Sequence, residues 1–396
     1  MVTALKNAVV VGASYVGINA AQQLAAVLPA TYRVVLVEPH SHFHHLFAFP
    51  RFAIVPTHEH KAFVPFTGVF NQDTIPNKDQ HKVVQARVVA LEPGRAVLDR
   101  EWEGSREIPF DYVVVATGTR LTPPGSMVSD DKPSAVTYFQ DYQAKVKNAN
   151  SVVLVGGGAV GIQMAADLKE KFPEKQVTLV HSRDKVMPRF HPQFHDLIQE
   201  RFTELGIRLI TNSRVVFPKG GFPEDGSTFT VDLADGTSVD AQLVIPATGQ
   251  TPNNDLVRDL PASTPEGIIN PANGFIRVQP TLQFKDPAYP NFFAVGDVAD
   301  TGAHKAARPG AAQAAAAAQN ILSLIEGKTP TETITVSPGG IHLTLGIQKN
   351  IIFRNPESEG AEPTSRWRDD GVEDMNIEGV WTRRGVRVNT LDDYHL

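Results

Sequence analysis

Two glycine-rich turns, each closing a short apolar strand, stand about one domain-length apart in this chain. The first reads Val9-Val10-Val11-Gly12-Ala13-Ser14-Tyr15-Val16-Gly17, and the second Val152-Val153-Leu154-Val155-Gly156-Gly157-Gly158-Ala159-Val160-Gly161. A short, uninterrupted run of β-branched residues bounded by glycine reads as a parallel strand buried on both faces. The turn then hands over to a helix whose first N–H groups lack partners and whose dipole is positive there, a ready seat for a pyrophosphate. One such turn often serves only as a turn. Two in matching context imply two dinucleotides in one polypeptide, with electrons passing between them.

The repeat extends beyond the glycines. A small-residue helix from Ile18 to Ala25, then Pro29, leads to the strand Val34-Val35-Leu36-Val37 ending at Glu38. Its counterpart runs from Ile162 to Leu168, then Pro173, then Val177-Thr178-Leu179-Val180 ending at His181. Each half closes on a strand running into Ala-Thr-Gly, with Thr117-Gly118 in the first and Thr248-Gly249 in the second. Two βαβ units of this kind have the pattern of an internally duplicated nucleotide-binding domain.

The residue ending the second strand of each unit bears on which nucleotide binds. Glu38, about twenty residues beyond Gly17, is placed to accept hydrogen bonds from an adenosine ribose, although a solvated strand-end acid would look the same. Ser14 takes the place of the middle glycine of the usual fingerprint. At the second site His181-Ser182-Arg183 offers no carboxylate to repel a 2′-phosphate. Arg183 is either a partner for that phosphate or plain surface charge, so NADH and NADPH both remain open. A third mark is Gly296-Asp297, after the strand Asn291–Val295 and shortly before an Ala-rich stretch read as a helix to Leu324. An Asp there can hydrogen-bond flavin ribityl hydroxyls. His304 and Lys305, in the loop before that helix, are either a cation set at the flavin pyrimidine edge or ordinary surface residues. His42, His44 and His45 lie among Phe43, Leu46 and Phe47, a pattern that fits a cofactor-lining loop better than a metal site, and no metal is expected. His44, His45 and, slightly further on, Arg51 are taken as cofactor contacts together with Gly12, Ser14, Gly17, Glu38, Thr117, Gly118, Gly296 and Asp297. The second nucleotide is assigned Gly156, Gly158, Gly161, His181, Arg183 and Gly249.

Composition removes several alternatives. The chain of 396 residues has no cysteine, which excludes thiolate nucleophiles, Cys-ligated metals and a redox disulfide beside a flavin. The formal net charge of −6 carries no electrostatic footprint for nucleic acid. No run is long and apolar enough to span a bilayer. The first strand begins within a few residues of Met1, and position 2 is Val, so neither a leader peptide nor N-myristoylation is expected. An intracellular protein, cytoplasmic by default, with at most peripheral contact with an organelle membrane, is the expectation. The oligomeric state is left open.

The organisation that follows is a first nucleotide-binding domain in two parts, residues 1–121 and 251–327, around a second at 122–250. A small C-terminal domain follows at 328–396. Alternating apolar positions from Lys82 to Leu98 suggest antiparallel strands. Asn355 to Asp374 reads as an exposed acidic loop before order resumes at Met375–Trp381.

With these residues in view, the chain resembles the two-dinucleotide pyridine-nucleotide:flavin oxidoreductase superfamily. Within it the similarity is to the AMID branch (AIF-like, also called ferroptosis-suppressor-like), in a fungal-type form. The resemblance rests on Ser41-His42-Phe43-His44-His45, Gly156 to Ala166, Phe172-Pro173-Glu174-Lys175, Val177 to Ser182, and Gly296-Asp297-Val298-Ala299-Asp300. It implies an α/β fold of two Rossmann-like, three-layer domains of the glutathione-reductase type plus a small C-terminal α+β domain. It also implies FAD in the first domain (1–121 and 251–327), NADH or NADPH in the second (122–250), and an acceptor or interface role for 328–396. The reaction it implies is hydride transfer from nicotinamide to FAD. Electrons then pass to a quinone-like or other small-molecule acceptor, or to oxygen. Lys305 matches a family lysine beside the flavin, and Gln163 stands where the family usually has a Glu near the nicotinamide. Lys305, Gln163 and His304 are therefore the expected catalytic set. The alternatives are a pathway-specific tailoring oxidoreductase and an NAD(P)H-responsive redox signalling protein.

Overall fold

The computed structural model describes residues 5–396; Val2, on which the myristoylation reading rests, lies outside them. Seven α-helices occur among the described residues: α1 Tyr15–Val27, α2 Phe49–Phe52, α3 Lys132–Asn148, α4 Ala159–Lys171, α5 Pro192–Leu205, α6 Ala307–Ile325 and α7 Ile377–Arg383. None is long and apolar enough to cross a membrane.

The first apolar run becomes the centre of a five-stranded parallel sheet. Its spatial order is Phe292–Ala294, Tyr112–Val115, Lys6–Val11, Tyr32–Glu38, Lys82–Gln85. Alternation divides the buried strand between two layers. Ala8 and Val10 pack with α1 and the alanines of α6, while Val9 and Val11 face the antiparallel strands Val88–Glu92, Arg95–Trp102 and Ser105–Pro109. The small side chains of α6 let it lie against α1 with Ala314, Ala317, Ala318 and Ile321 fully or almost fully buried.

The second run repeats this plan. Its parallel sheet has the order Leu243–Pro246, Ser151–Val155, Gln176–Val180, Arg208–Ile210. Val152 and Leu154 join α3, α4 and α5 in one core, and Val153 and Val155 join the hairpin Phe229–Asp232/Ser238–Ala241 in another. In both sheets the strand before the glycine turn lies between the strand that follows its helix and the strand leading into Ala-Thr-Gly. The chain enters and leaves the second unit through paired antiparallel strands, Thr119–Leu121 and Gln250–Pro252, with Arg120 opposite Thr251.

Three expectations require correction. Lys82–Gln85 is not antiparallel: it is the parallel edge strand of the first sheet, half exposed, which is why its residues alternate. The acidic segment 355–374 is not all loop, since Thr364–Arg368 forms the third strand of an antiparallel sheet with Gly340–Thr344 and Asn350–Arg354. The segment's end is also tied down, with Glu373 2.7 Å from Lys171 and Asp374 3.7 Å from Lys61. Finally, residues 328–396 bury their apolar side chains in two different places. Leu343, Ile351 and Phe353 enter the core around α4 and α5, where Phe353 stacks on Phe194 at 4.4 Å. Ile377, Val380 and Trp381 of α7 join the core of α1 and α6, and Trp381 Nε1 donates to the Lys61 carbonyl at 2.8 Å.

Arg51 binds these parts together and is the fourth correction, because its donors point into protein and not toward a nucleotide. The side chain is completely buried on α2. Its Nε donates to Asp167 Oδ2 of α4 at 2.7 Å, Nη2 to the Gly346 carbonyl at 2.9 Å and Nη1 to the Val372 carbonyl at 3.1 Å. Removing one partner from a buried pair leaves the other charge uncompensated and costs about 3–5 kcal/mol, whereas replacing both by apolar groups is often neutral. Arg51→Met is therefore expected to lower the thermal midpoint of the FAD-loaded protein markedly, and Arg51→Met/Asp167→Leu to recover most of that loss. Thermal unfolding of the two variants beside the wild type checks this.

Candidate functional site

The duplication holds at the level of single hydrogen bonds. Gly12 N–H donates to the Val37 carbonyl at 2.9 Å, and Gly156 N–H to the Val180 carbonyl at 2.8 Å. The next N–H of each turn goes to the residue that ends the following strand. Ala13 N–H donates to Glu38 Oε2 at 2.5 Å, and Gly157 N–H donates to His181 Nδ1 at 3.0 Å. Because Nδ1 accepts, the His181 proton sits on Nε2 and is donated to the Lys185 carbonyl at 3.1 Å. Burial lowers the His181 pKa, so the ring is neutral at physiological pH. Arg183 is exposed beside it and takes part in no ion pair among the described residues.

Each helix starts hard against its turn. A methyl on Gly17 would stand 1.7 Å from the Gly12 carbonyl oxygen, and one on Gly161 would stand 2.1 Å from that of Gly156. Gly158, the N-cap of α4, is the opposite case: a Cβ there meets nothing within 4 Å, so the space ahead of the helix is open. Ser14 occupies the same place on α1, and its hydroxyl caps no backbone N–H. Two helix N-termini without side-chain caps, that of α4 with open space ahead of it, fit two pyrophosphates.

Around the first turn, Glu38 also pairs with His40, whose ring packs on His44 at 4.1 Å between centroids. His44 is buried against Phe49 and Phe63, and burial, then His40 and His42, hold its pKa well below the usual histidine value. His45 Nδ1 meets the Tyr15 hydroxyl at 2.8 Å, and burial, with Arg384 and Arg383 nearby, lowers its pKa to about 3. His45 thus braces the first turn of α1 as a neutral ring, and His44 backs His40, the partner of the strand-end acid. Thr117 and Gly118 are held across the unit by Asn253: Thr117 Oγ1 donates to the Asn253 carbonyl at 2.6 Å, and Asn253 Nδ2 to the Thr117 carbonyl at 2.9 Å. Gly249 follows Thr248, whose carbonyl accepts from Thr122 Oγ1 at 2.9 Å on the entering strand.

A second cluster forms at the N-terminal side of α6. Gly296 N–H donates to Gln313 Oε1 at 2.7 Å, which fixes the turn presenting Asp297. Burial raises the Asp297 pKa, and Lys305 opposes that rise. Lys305 donates to the Ala299 carbonyl and lies 4.0 Å above the Phe275 ring. Its own pKa is lowered by burial and by Arg189, and supported by Asp297 and Asp300. His304 packs edge-on against Phe190 at 5.4 Å, so residues of both nucleotide units meet here. Gln163 belongs to a different cluster, on the second turn of α4 beside the Arg51–Asp167 pair. Asp167, Asn253 and Gln313 are site-shaping residues that sequence reasoning missed. Only Asp167, four residues after Gln163 on one helix face, carried a local signal.

A family model described as pyridine nucleotide-disulphide oxidoreductase matches residues 6–320. The chain belongs to that family. It is similar to Fe-regulated protein 8 of Mycosarcoma maydis, with 36% identity over 98% of this chain and 96% of that protein. It is 28% identical to human ferroptosis suppressor protein 1 over 87% of each chain. Its fold is shared with the sulfide:quinone oxidoreductase of Aquifex aeolicus, at a TM-score of 0.71 and 19% identity over 96% of this chain and 90% of that one. The chain is an FAD- and NAD(P)H-dependent oxidoreductase of the AMID, ferroptosis-suppressor-like branch.

Glu38 ends its strand with one oxygen on the glycine turn and the other on His40, and an adenosine ribose held there is the expectation to test. Glu38→Ala is expected to lose FAD on dialysis while the wild type retains it. The flavin absorbance and the identity of the extracted cofactor are the measurements, and recovery of FMN would exclude the assignment.

Proposed function

We propose that this enzyme delivers the electrons of NADH or NADPH to a quinone-like small molecule. The observation that carries the reading is the absence of cysteine from a chain of this family. With no thiol to take electrons, the acceptor is a diffusible molecule that reaches the cofactor directly. The similarity to ferroptosis suppressor proteins favours a quinone.

Bound FAD supplies the two-electron chemistry that no side chain here can perform. The protein's part is orientation and electrostatics. Gly12, Ser14 and the first turn of α1 seat one pyrophosphate, and Glu38 holds the attached ribose. Gly156, Gly158, Gly161 and α4 seat the other. Gln163 offers its side-chain amide to the nicotinamide, and His181 with Arg183 borders the adenosine ribose. Asp297 fixes the ribityl chain. Lys305, kept in place by Ala299 and Phe275, sets a positive charge where reduction adds negative charge, and the N-terminus of α6 adds to it. His304 and Phe190 line the junction by which an acceptor approaches.

Steady-state oxidation of NADH by a water-soluble quinone tests the assignment. Fast turnover is expected, and rapid reduction of the bound cofactor without quinone turnover would replace it with a pathway-specific or signalling role. Removing the Arg183 charge is expected to raise the KM for NADPH more than that for NADH, whereas equal effects would make Arg183 surface charge. Lys305→Met is expected to retain FAD, lower its midpoint potential and slow reduction by NADH roughly a hundredfold. Stopped-flow reduction at wild-type speed with an unchanged potential would return Lys305 to a structural loop.

A further inference from the structure

Two buried polar atoms on one face of α4 lack hydrogen-bond partners among the described residues: Gln163 Nε2 and Asp167 Oδ1. Both side chains are more than nine-tenths buried, at 7% and 0% exposure. They are four residues apart on a helix, the spacing at which a Gln and an Asp meet, and helical side chains lean toward the preceding turn. Burial pushes the Asp167 carboxyl up, while Arg51 and, to a lesser degree, the Gln163 amide hold it down. The two side chains stand one turn apart on one face of α4, with these two atoms outside hydrogen-bond geometry.

The chemistry of the pair decides which way the amide faces. Asp167 Oδ2 is taken by Arg51 Nε at 2.7 Å, and the guanidinium is itself held by the Gly346 and Val372 carbonyls. The carboxylate is thereby prevented from rotating. A carboxylate oxygen only accepts, so only the NH₂ end of Gln163 can turn toward Oδ1. The oxygen end of Gln163 then faces away from Asp167. The nicotinamide carboxamide carries an NH₂ group that needs such an acceptor.

We propose that Asp167 is a positioning residue of the nicotinamide site, holding the Gln163 amide N–H₂ inward so that Gln163 Oε1 receives the nicotinamide carboxamide. The inference rests on the reading that Gln163 meets the nicotinamide. Arg51, on the FAD side of the molecule, acts one step further back by locking the carboxylate.

Asp167→Asn tests this sharply. Arg51 still demands an oxygen, so the new amide presents its NH₂ to Gln163. Gln163 must then turn its oxygen inward and set a donor against the carboxamide donor. Binding of NAD⁺ and of ADP-ribose, which lacks the nicotinamide, is measured by calorimetry on the FAD-loaded protein. Asp167→Asn is expected to weaken NAD⁺ roughly ten- to a hundredfold and to leave ADP-ribose unchanged. Gln163→Met is expected to weaken NAD⁺ similarly, and the double variant no further. If Asp167→Asn fails to fold, Arg51→Met/Asp167→Leu takes its place, with NAD⁺ again weakened and ADP-ribose not. Equal loss for both ligands, or additive loss in the double variant, would overturn the positioning role. Survival of NAD⁺ binding in Asp167→Asn but not in Gln163→Met would overturn it too. Unchanged NAD⁺ binding in Gln163→Met would instead overturn the nicotinamide reading of Gln163 itself.

Discussion

The ion pair between Arg51 and Asp167 is buried completely, and a charge pair withdrawn from water gains nothing unless its remaining donors and acceptors are also served. Here the guanidinium is served by a third part of the chain, while Asp167 Oδ1 is left without a partner among the described residues. The Gly346 and Val372 carbonyls take two further guanidinium N–H groups, so a segment after residue 328 completes a contact between the two nucleotide units. The turn that supplies Gly346 is held a second time by acids and bases of the NAD(P)H unit. Arg201 donates to the Leu345 carbonyl at 3.0 Å and pairs with Glu170, while Glu170 Oε2 accepts from Ile347 N–H at 2.6 Å. A side chain on Gly346 would strike that carboxylate. This polar knot, together with the apolar core beneath it, joins α4 to α2 and to the segment after residue 328.

The histidine segment shows a different use of burial. His44 and His45 are kept neutral by their surroundings: His44 packs on His40, which in turn pairs with Glu38, and His45 meets the Tyr15 hydroxyl. A cation does stand beside them, Arg384, whose guanidinium lies 4.1 Å over the Phe43 ring. A second set of charges stands before α6, where Lys305 and Arg189 are near Asp297 and Asp300. The rings of His44 and His45 thus add no charge of their own to a segment already flanked by Glu38 and Arg384.

What could be read from the residues alone was whatever is local in the chain. Glycines at 12, 17, 156 and 161, each a few residues after a β-branched run, encode a strand, a turn and a helix by their own stereochemistry. Glu38 and His181 follow because a strand of fixed length must end beside that turn. Arg51 was misread because its partners are backbone carbonyls and an acid 116 residues away, and a carbonyl leaves no signature in a sequence. Thr364–Arg368 escaped notice because all five of its residues are exposed, so an edge strand there has no apolar alternation to betray it. The split of residues 328–396 between two cores was equally hidden, since apolar periodicity says that a face is buried but not against what.

The paired strands Thr119–Leu121 and Gln250–Pro252 place the entry and exit of the second unit side by side. A segment whose ends are neighbours can be cut out and replaced without displacing the rest of the chain. Residues 122–249 therefore leave and rejoin the rest of the chain at a single place. An exchange there would be limited at the polar knot and in the shared core and not at the hinge: a donor unit would need acids at the positions of Asp167 and Glu170 and an apolar face for Leu343, Ile351 and Phe353. Lineages that traded one nicotinamide nucleotide for the other by recombination would be expected to carry those two acids across the junction unchanged.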